Sequence, residues 1–256
     1  MKRWGWAALV AVMCGVGCGE GGSLPTDKQT QQPATTNPDG TVDLPDIPVT
    51  QNPNEGKTET PPSLWPLTKG STWRYRITDV KYGGTFEKQV EVLGTQTVPE
   101  TTMTATAVRS TQPFLKLEEL SWQVDLNGVV VRLREEDRES GTLARVMTWS
   151  PATVKGLARE QPLAWRFESK ITEATRYLTG TKEDETKEKI YVWTVEAVNE
   201  TVTTPAGTFT NAIRLKRTRS DKESKDRTYW LVPGIGKVKE DGERQEELLS
   251  YDVKKP

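Results

Sequence analysis

The fold is decided by the stretch that reads WQVDLNGVVVRLR at positions 122–134. Apolar and polar residues alternate over 122–126, and alternation returns over 129–133. A period of two is typical of a β-strand that buries one face and leaves the other in water. Asn127 and Gly128 stand between the runs, and both accept the positive φ of a tight hairpin turn. The stretch therefore predicts an antiparallel hairpin.

The same signals recur along most of the chain. Further alternating runs are found at 73–78, 90–92, 191–195 and 213–216. Further turn sequences are found at 82–85, 204–207 and 239–243. Short turns between neighbouring strands indicate antiparallel pairing. The best helical candidate, 152–161, is weakened by Gly156. We therefore expect an all-β domain over 64–256, an antiparallel meander that forms a bent sheet, a barrel or a sandwich.

The domain contains two copies of one pattern. The run Thr97-Val98-Pro99 returns as Thr203-Thr204-Pro205, 106 residues later, and Trp122 returns as Trp230, 108 residues later. Such a repeat predicts two similar halves. Two unrelated antiparallel meanders would also look alike, which is the alternative. The predicted halves are residues 64–150 and 160–253.

The amino terminus has a separate character. Lys2 and Arg3 precede an apolar run over 4–13, and small residues surround Cys18. This resembles a bacterial lipoprotein signal, which implies removal of residues 1–17 and lipidation of Cys18. Ordinary secretory cleavage at the same glycines is the alternative. About ten apolar residues are too few to span a bilayer, which needs roughly 20.

Residues 18–63 are expected to form a lipidated cysteine followed by a disordered tether. From residue 19 the segment is rich in Pro, Thr, Asn, Gln, Gly and Asp, and it has no aromatic residue. Such a composition buries too little apolar surface to offset the entropy of ordering. The alternative is an extended segment packed on the domain.

Composition argues against the commonest chemistries. The chain has no histidine, which excludes Ser-His-Asp and Cys-His catalysis and the usual zinc sites. Cleavage would leave Cys18 as the one thiol, so no internal disulfide is expected. A net charge of −1 without a basic block disfavours nucleic acid. We therefore expect no enzyme activity, no catalytic residue, no metal and no cofactor.

The second half carries a family resemblance. It reads TPAGTF at 204–209, YW at 229–230, PGIGKVK at 233–239 and EL at 247–248. This is similar to a pattern in uncharacterised bacterial secreted proteins and lipoproteins, which read TPAGTF, YW, PGxGxVK and EL in that order. These motifs consist of residues that are typical of turns and strands, so the resemblance implies a fold and supplies no catalytic residue. In the first half, residues 99–103 replace the TPAGTF run.

Acidic residues cluster at four places. We expect them to be solvated faces, because most stand beside Lys or Arg near strand ends and turns. The alternative is a carboxylate-dependent glycan hydrolase, which requires two carboxylates across a cleft, one with its pKa raised by burial. The clusters are Glu118-Glu119, Glu135-Glu136-Asp137, Glu183-Asp184-Glu185 and Glu246-Glu247.

Seven tryptophans follow residue 64, and most stand at alternating apolar positions that predict a core. Trp65 lies beside Pro66 at the edge of the domain, and Trp149 precedes Ser150-Pro151, so we expect both to be exposed at a rim, as candidate ligand-binding residues. The leading hypothesis is a non-catalytic lipoprotein of the bacterial cell envelope, facing the periplasm or the cell surface, with the outer membrane favoured. Its partners would be the membrane, through the anchor, and an apolar ligand such as a lipid or an envelope protein. A structural part in an envelope assembly is the further alternative. An apolar cavity would favour the ligand-binding hypothesis. An apolar surface patch would favour a part in an assembly.

Overall fold

The computed structural model describes residues 36–48, 61–79, 83–220, 222 and 225–255. Twelve β-strands account for most of them, with one 3₁₀ turn, Pro113–Leu115, between the third and fourth. Among these residues no helix is long and apolar enough to cross a membrane. The strands are β1 Thr72–Asp79, β2 Thr85–Thr97, β3 Thr104–Gln112, β4 Leu117–Leu126, β5 Val129–Glu139, β6 Thr142–Leu157, β7 Arg166–Tyr177, β8 Glu185–Thr204, β9 Gly207–Arg219, β10 Arg227–Val232, β11 Gly236–Asp241 and β12 Arg244–Asp252.

Every strand pairs antiparallel with its neighbours in the chain, and β1 also pairs with β12 to close a barrel. The closing register runs from Thr72 opposite Asp252 to Asp79 opposite Arg244. Closure leaves no open sheet edge whose backbone groups would otherwise stay unpaired. The predicted all-β antiparallel meander is confirmed, and of the three expected arrangements the barrel is the one observed.

The hairpin predicted over 122–134 is formed by β4 and β5. Leu126 lies opposite Val129, and Asn127 and Gly128 have φ values of 54° and 85°. Both values lie in the left-handed region, as a type I′ turn requires. Residues 152–157, within the weak helical candidate, belong instead to β6.

The repeated residues lie in strands that are six apart in the barrel. Trp122 is in β4 and Trp230 in β10, while Pro99 and Pro205 lie in the β2–β3 and β8–β9 turns. The division of the domain into two similar halves stays a prediction. The predicted end of the first half, residue 150, falls inside β6, which continues to Leu157.

Apolar side chains pack into two clusters. The larger includes Trp122, Trp149 and Trp193, and the smaller includes Trp73 and Tyr75. Trp165 and Trp230 are partly buried against these clusters. The expectation that alternating tryptophans form the core is therefore confirmed for Trp73, Trp122 and Trp193, whose side chains the barrel buries.

Residues 36–48 pack against the barrel. The Ala152 amide donates to the Asp43 carbonyl at 2.7 Å, and the Thr102 amide donates to the Gly40 carbonyl at 2.9 Å. Val42 and Ile47 are only 5% and 4% exposed. The expectation of a free tether is therefore wrong for residues 36–48, because two apolar side chains and the backbone find partners on the barrel. It is also wrong for residues 61–63, because the Ser63 carbonyl accepts from the Gly234 amide. Cys18, the signal over 1–17 and the rest of the predicted tether up to residue 60 lie outside the described residues.

A second segment, residues 61–71, crosses one end of the barrel, and we call it the cap segment. The Leu64 amide donates to the Ala158 carbonyl in the β6–β7 loop at 2.9 Å. The Gly234 amide in the β10–β11 turn donates to the Ser63 carbonyl, also at 2.9 Å. Leu64 is fully buried. The cap segment is thereby fixed on both sides of the barrel end, and the candidate site lies beneath it.

Candidate functional site

A pocket of about 610 Å³, including its open mouth, lies inside the barrel beneath the cap segment. Strands β1 to β4 contribute alternate residues to it, as expected for side chains on one face of a strand. Its wall is apolar on one side and carries charged and polar groups on the other. The lining residues are Trp65, Pro66, Leu67, Trp73, Tyr75, Lys88, Val90, Val92, Val108, Ser110, Glu119, Ser121, Gln123, Lys155, Gly236 and Lys237.

Trp65 forms the roof of the pocket. Its indole Nε1 donates to Gln123 Oε1 at 2.9 Å, and Gln123 Nε2 donates to Ser121 Oγ at 2.7 Å. The ring lies against Gly156, where a Cβ atom would come within 2.7 Å of Trp65 Cε3. Gly156 is therefore required by the close approach of the indole.

Trp73 and Tyr75 form the apolar wall with their polar atoms already satisfied. Trp73 Nε1 donates to the Ile235 carbonyl at 2.7 Å, and the Tyr75 hydroxyl donates to the Lys237 carbonyl at 2.8 Å. Burial raises the pKa of Tyr75, so the phenol stays neutral. Both side chains therefore present the apolar surface of their rings to the pocket and offer it no free hydrogen-bond donor.

The first group of charges is tightly paired, and we call it the β11–β12 network. Lys88 Nζ donates to Glu246 Oε1 at 2.8 Å, and Lys237 Nζ donates to Glu246 Oε2 at 2.7 Å. Lys237 also pairs with Glu240, which binds Arg227 at 2.8 Å. Burial opposes the charged carboxylate, but Lys237 and Lys88 outweigh it and hold the pKa of Glu246 well below its usual range.

The second group is more loosely paired around Glu119, and we call it the Glu119 cluster. Glu119 Oε1 lies 3.7 Å from Arg132 Nη1 and 3.8 Å from Lys155 Nζ. Arg132 also pairs with Glu135, and its guanidinium lies 4.4 Å from the centre of the Trp149 ring. These contacts hold the guanidinium in place, while Lys155 has only a long ion pair to Glu119.

Three carboxylates of this region offer oxygens within 4.8 Å of one another: Glu119, Glu135 and Asp137. Arg132 pairs with two of them, and Arg145 pairs with Asp137. Burial raises the pKa of Asp137, while Arg145 opposes that shift. The acids are therefore neutralised by guanidinium groups in the structure. They do not face each other across the pocket, since Glu119 is the one carboxylate among its lining residues.

The expectation that the acidic clusters are solvated is wrong for four residues. Glu135, Glu136, Asp137 and Glu246 are buried, because arginines and lysines accompany them into the barrel wall and interior. The cluster at 183–185 is exposed or half-buried, as expected. A signal was present in β5, where alternation stops after Leu133 and a mixed run of charges follows inside a strand.

Lys155 is the lysine of the pocket whose pKa is lowered. Burial, together with the charge of Arg132, lowers its pKa to about 7, although Glu119 acts in the opposite direction. About 30% of its side chain remains exposed, and it lines the pocket. Near neutral pH this amine therefore exists in both protonation states.

The two tryptophans chosen from the sequence have different positions. Trp65 lines the pocket, and its role in ligand binding stays a prediction. Trp149 is only 2% exposed, and its Nε1 donates to Glu173 Oε2 at 3.0 Å, so the expectation of an exposed rim position is wrong. The neighbouring Pro151 lies within β6, so it does not place Trp149 at a rim. Nothing in the sequence distinguishes Lys88, Ser110, Lys155 or Lys237, because inward-facing and outward-facing polar residues look alike in an alternating strand.

No protein-family model matches the chain, and no curated protein matches it. Among solved structures, it is similar to a "putative exported protein with YmcC-like fold" from Bacteroides fragilis, at 12% identity and a TM-score of 0.44, over 75% of this chain and 99% of that one. It is also similar to a "putative lipoprotein" from Parabacteroides distasonis, at 14% identity and a TM-score of 0.37, over 76% of this chain and all of that one.

Proposed function

We propose that this chain is a non-catalytic lipoprotein of the bacterial cell envelope whose barrel binds an apolar small molecule such as a lipid. The pocket beneath the cap segment is the observation that carries the proposal. About 80 Å³ of it is enclosed space, below the roughly 300–1,000 Å³ of drug-sized ligand sites, so the pocket would hold one slender hydrocarbon chain with part of that chain in the open mouth. One side of it is formed by Trp73, Val90, Val92 and Val108, which would exclude water from a bound hydrocarbon chain.

The anchor rests on the sequence around Cys18. Acylation there would hold the barrel at a membrane, because each buried methylene contributes about 0.8 kcal/mol. We expect the chain to partition with membranes, and Cys18→Ala to move it to the soluble envelope fraction. Mass spectrometry of the first mature peptide would show the acyl chains. An unmodified Cys18 would overturn this part of the proposal and leave the pocket unaffected.

Ligand binding is testable by displacement of a neutral fluorescent probe, N-phenyl-1-naphthylamine, with decanol. The full chain carrying Cys18→Ser is suitable, because no acyl chain of its own then competes. We expect saturable displacement with about one site per chain. Val90→Trp should abolish it by filling the pocket, since Val90 lines the apolar wall.

Gln89→Trp is the matched control, because residue 89 is exposed on the opposite face of the same strand. It should leave displacement unchanged. Equal binding by the wild-type chain and Val90→Trp, or no probe binding by a folded wild-type chain, would contradict the proposed pocket function.

A carboxylate-dependent hydrolase has less support from the geometry. Its mechanism needs a second carboxylate about 5–9 Å from the first, across the substrate. Glu119 stands alone in the pocket lining and is paired with Arg132. Under our proposal, the purified chain should not turn over glycans, and Glu119→Gln should change only the stability of the chain.

A further inference from the structure

One buried polar group of the pocket has no hydrogen-bond partner within the described chain, and one partly exposed cation has only a long ion pair. The Ser110 hydroxyl is buried, at 7% residue exposure, and is unpartnered. Lys155 Nζ lies 3.8 Å from the carboxylate of Glu119, which is beyond a normal hydrogen bond. A buried donor without a partner is costly, by roughly 1–3 kcal/mol.

The two groups belong to one corner of the pocket. Ser110 lies directly opposite Glu119 in the β3–β4 register, and Glu119 is the residue beside Lys155. Residues directly opposite in an antiparallel pair have Cβ atoms only about 4.5–5.5 Å apart. The other polar side chains of the lining are already partnered: Gln123 with Trp65 and Ser121, and Lys88 and Lys237 with Glu246.

We propose that the pocket ligand is an amphipathic acid, whose carboxylate binds Lys155 and Ser110 while its hydrocarbon chain lies against Trp73, Val90 and Val92. This inference rests on the proposed function and names its ligand class. The geometry supplies one polar corner with a cation and a hydroxyl donor, beside an apolar wall that begins at Val90, the direct neighbour of Ser110 in the β2–β3 register. A neutral lipid would leave Lys155 with only its long ion pair to Glu119, whereas a carboxylate accepts from both groups at once.

The charges around Lys155 explain why an anion is favoured. Cations surround it from three strands, and Glu119 opposes them from a fourth. Binding of an acid would add a second counter-charge and return the pKa of Lys155 toward the usual value, so the amine should take up a proton. The charged groups that act on Lys155 or on its partner are Lys88 in β2, Glu119 in β4, Arg132 in β5, Lys237 in β11 and Glu246 in β12.

The first experiment compares decanoate with decanol in the displacement assay between pH 6 and pH 9. We expect decanoate to bind more tightly than decanol at pH 6.5, by about ten- to hundredfold, and this advantage to fall above pH 7 as Lys155 loses its proton. Decanol should show no such pH dependence. Equal affinities for the two ligands at pH 6.5 would overturn the inference and leave the proposed function intact.

Variants assign the effect to the residues. Lys155→Met should remove the preference for decanoate, so that the two ligands bind with similar affinity. Lys155→Arg should keep the preference without its dependence on pH, since arginine remains charged. Ser110→Ala should weaken decanoate severalfold. Lys187→Met, at an exposed position in β8, is the matched control and should change neither ligand.

Calorimetry supplies a readout that a merely structural role would not change. Titration of decanoate at pH 8, in buffers of different ionisation enthalpy, should show net uptake of close to one proton per ligand by the wild-type chain. Lys155→Met should show none. Circular dichroism establishes that each variant is folded. No uptake by the wild-type chain at pH 8 would contradict the assignment of Lys155, and failure of both ligands to bind would contradict the proposed function itself.

Discussion

The β11–β12 network and the Glu119 cluster are both charged, and both contribute residues to the same pocket, but they differ in how fully they are paired. In the first, Glu246 accepts from Lys88 and Lys237 at 2.7–2.9 Å. In the second, Glu119 lies 3.7–3.8 Å from its cations, and the Ser110 hydroxyl opposite it is unpartnered. The difference separates a group that stabilises the barrel from a group that is left available for a ligand.

The largest expected effect comes from breaking the β11–β12 network. Glu246→Gln leaves Lys88 and Lys237 without their shared counter-charge in a buried position, which should lower the free energy of unfolding by about 3–5 kcal/mol. Urea denaturation followed by tryptophan fluorescence measures it. The neighbouring Glu247 pairs with Arg76 at the surface, and Glu247→Gln should cost less than about 1 kcal/mol. Similar losses for the two variants would refute the structural role of the network.

A smaller effect of opposite sign is expected at Lys155. Its folded pKa of about 7 lies below the ordinary lysine value of 10.5, so between these pH values the unfolded chain binds a proton that the folded chain lacks. Stability from this group therefore rises with pH across the window, and the group is destabilising at neutral pH. Lys155→Met should raise the free energy of unfolding at pH 7 by about 1–3 kcal/mol.

The pH dependence of that gain is the control. The difference between Lys155→Met and the wild-type chain should shrink from pH 7 to pH 10. Lys187→Met should show no comparable change. A gain that stays constant across this range would indicate a packing effect in place of the titration of Lys155.

The smallest effect is expected at Glu119. Glu119→Gln removes a carboxylate whose ion pairs are long, and Arg132 keeps Glu135 as a partner. We expect a loss of about 1–2 kcal/mol in the free energy of unfolding, clearly below that of Glu246→Gln. The same urea titration measures both variants side by side. A loss at Glu119 that equals the loss at Glu246 would remove the distinction between the two groups.

Much of the fold was predictable from local pattern. Alternation and turn chemistry around Asn127 and Gly128 predicted the β4–β5 hairpin, and recurrence of the pattern predicted an antiparallel meander. Closure between β1 and β12 was not predictable, because it depends on strand number and tilt. The packing of Val42 and Ile47 was not predictable for a similar reason. Two scattered apolar residues form no recognisable pattern, and the surface that buries them exists only once the barrel has closed.

The candidate site was predictable in part. Trp65 was singled out for its position at the edge of the domain, and it lines the pocket. Trp149 was singled out on the same kind of signal, and it is buried against Arg132 and Glu173. The lysines of the pocket were not predictable, because a polar residue in an alternating strand is expected to face water. In a barrel of twelve strands the inner face has room for charges, provided that they are paired.

The most direct test of the account is a crystal structure of the chain with 10-bromodecanoate, which marks the far end of the ligand by anomalous scattering. We predict the carboxylate within hydrogen-bonding distance of Lys155 Nζ and Ser110 Oγ. The bromine should lie beyond Val92, because Val90 is the direct neighbour of Ser110 in the β2–β3 register and is too close for the far end of a ten-carbon chain. A carboxylate that lies at the mouth beside Trp65, or a pocket without ligand in crystals that contain it elsewhere, would contradict the account.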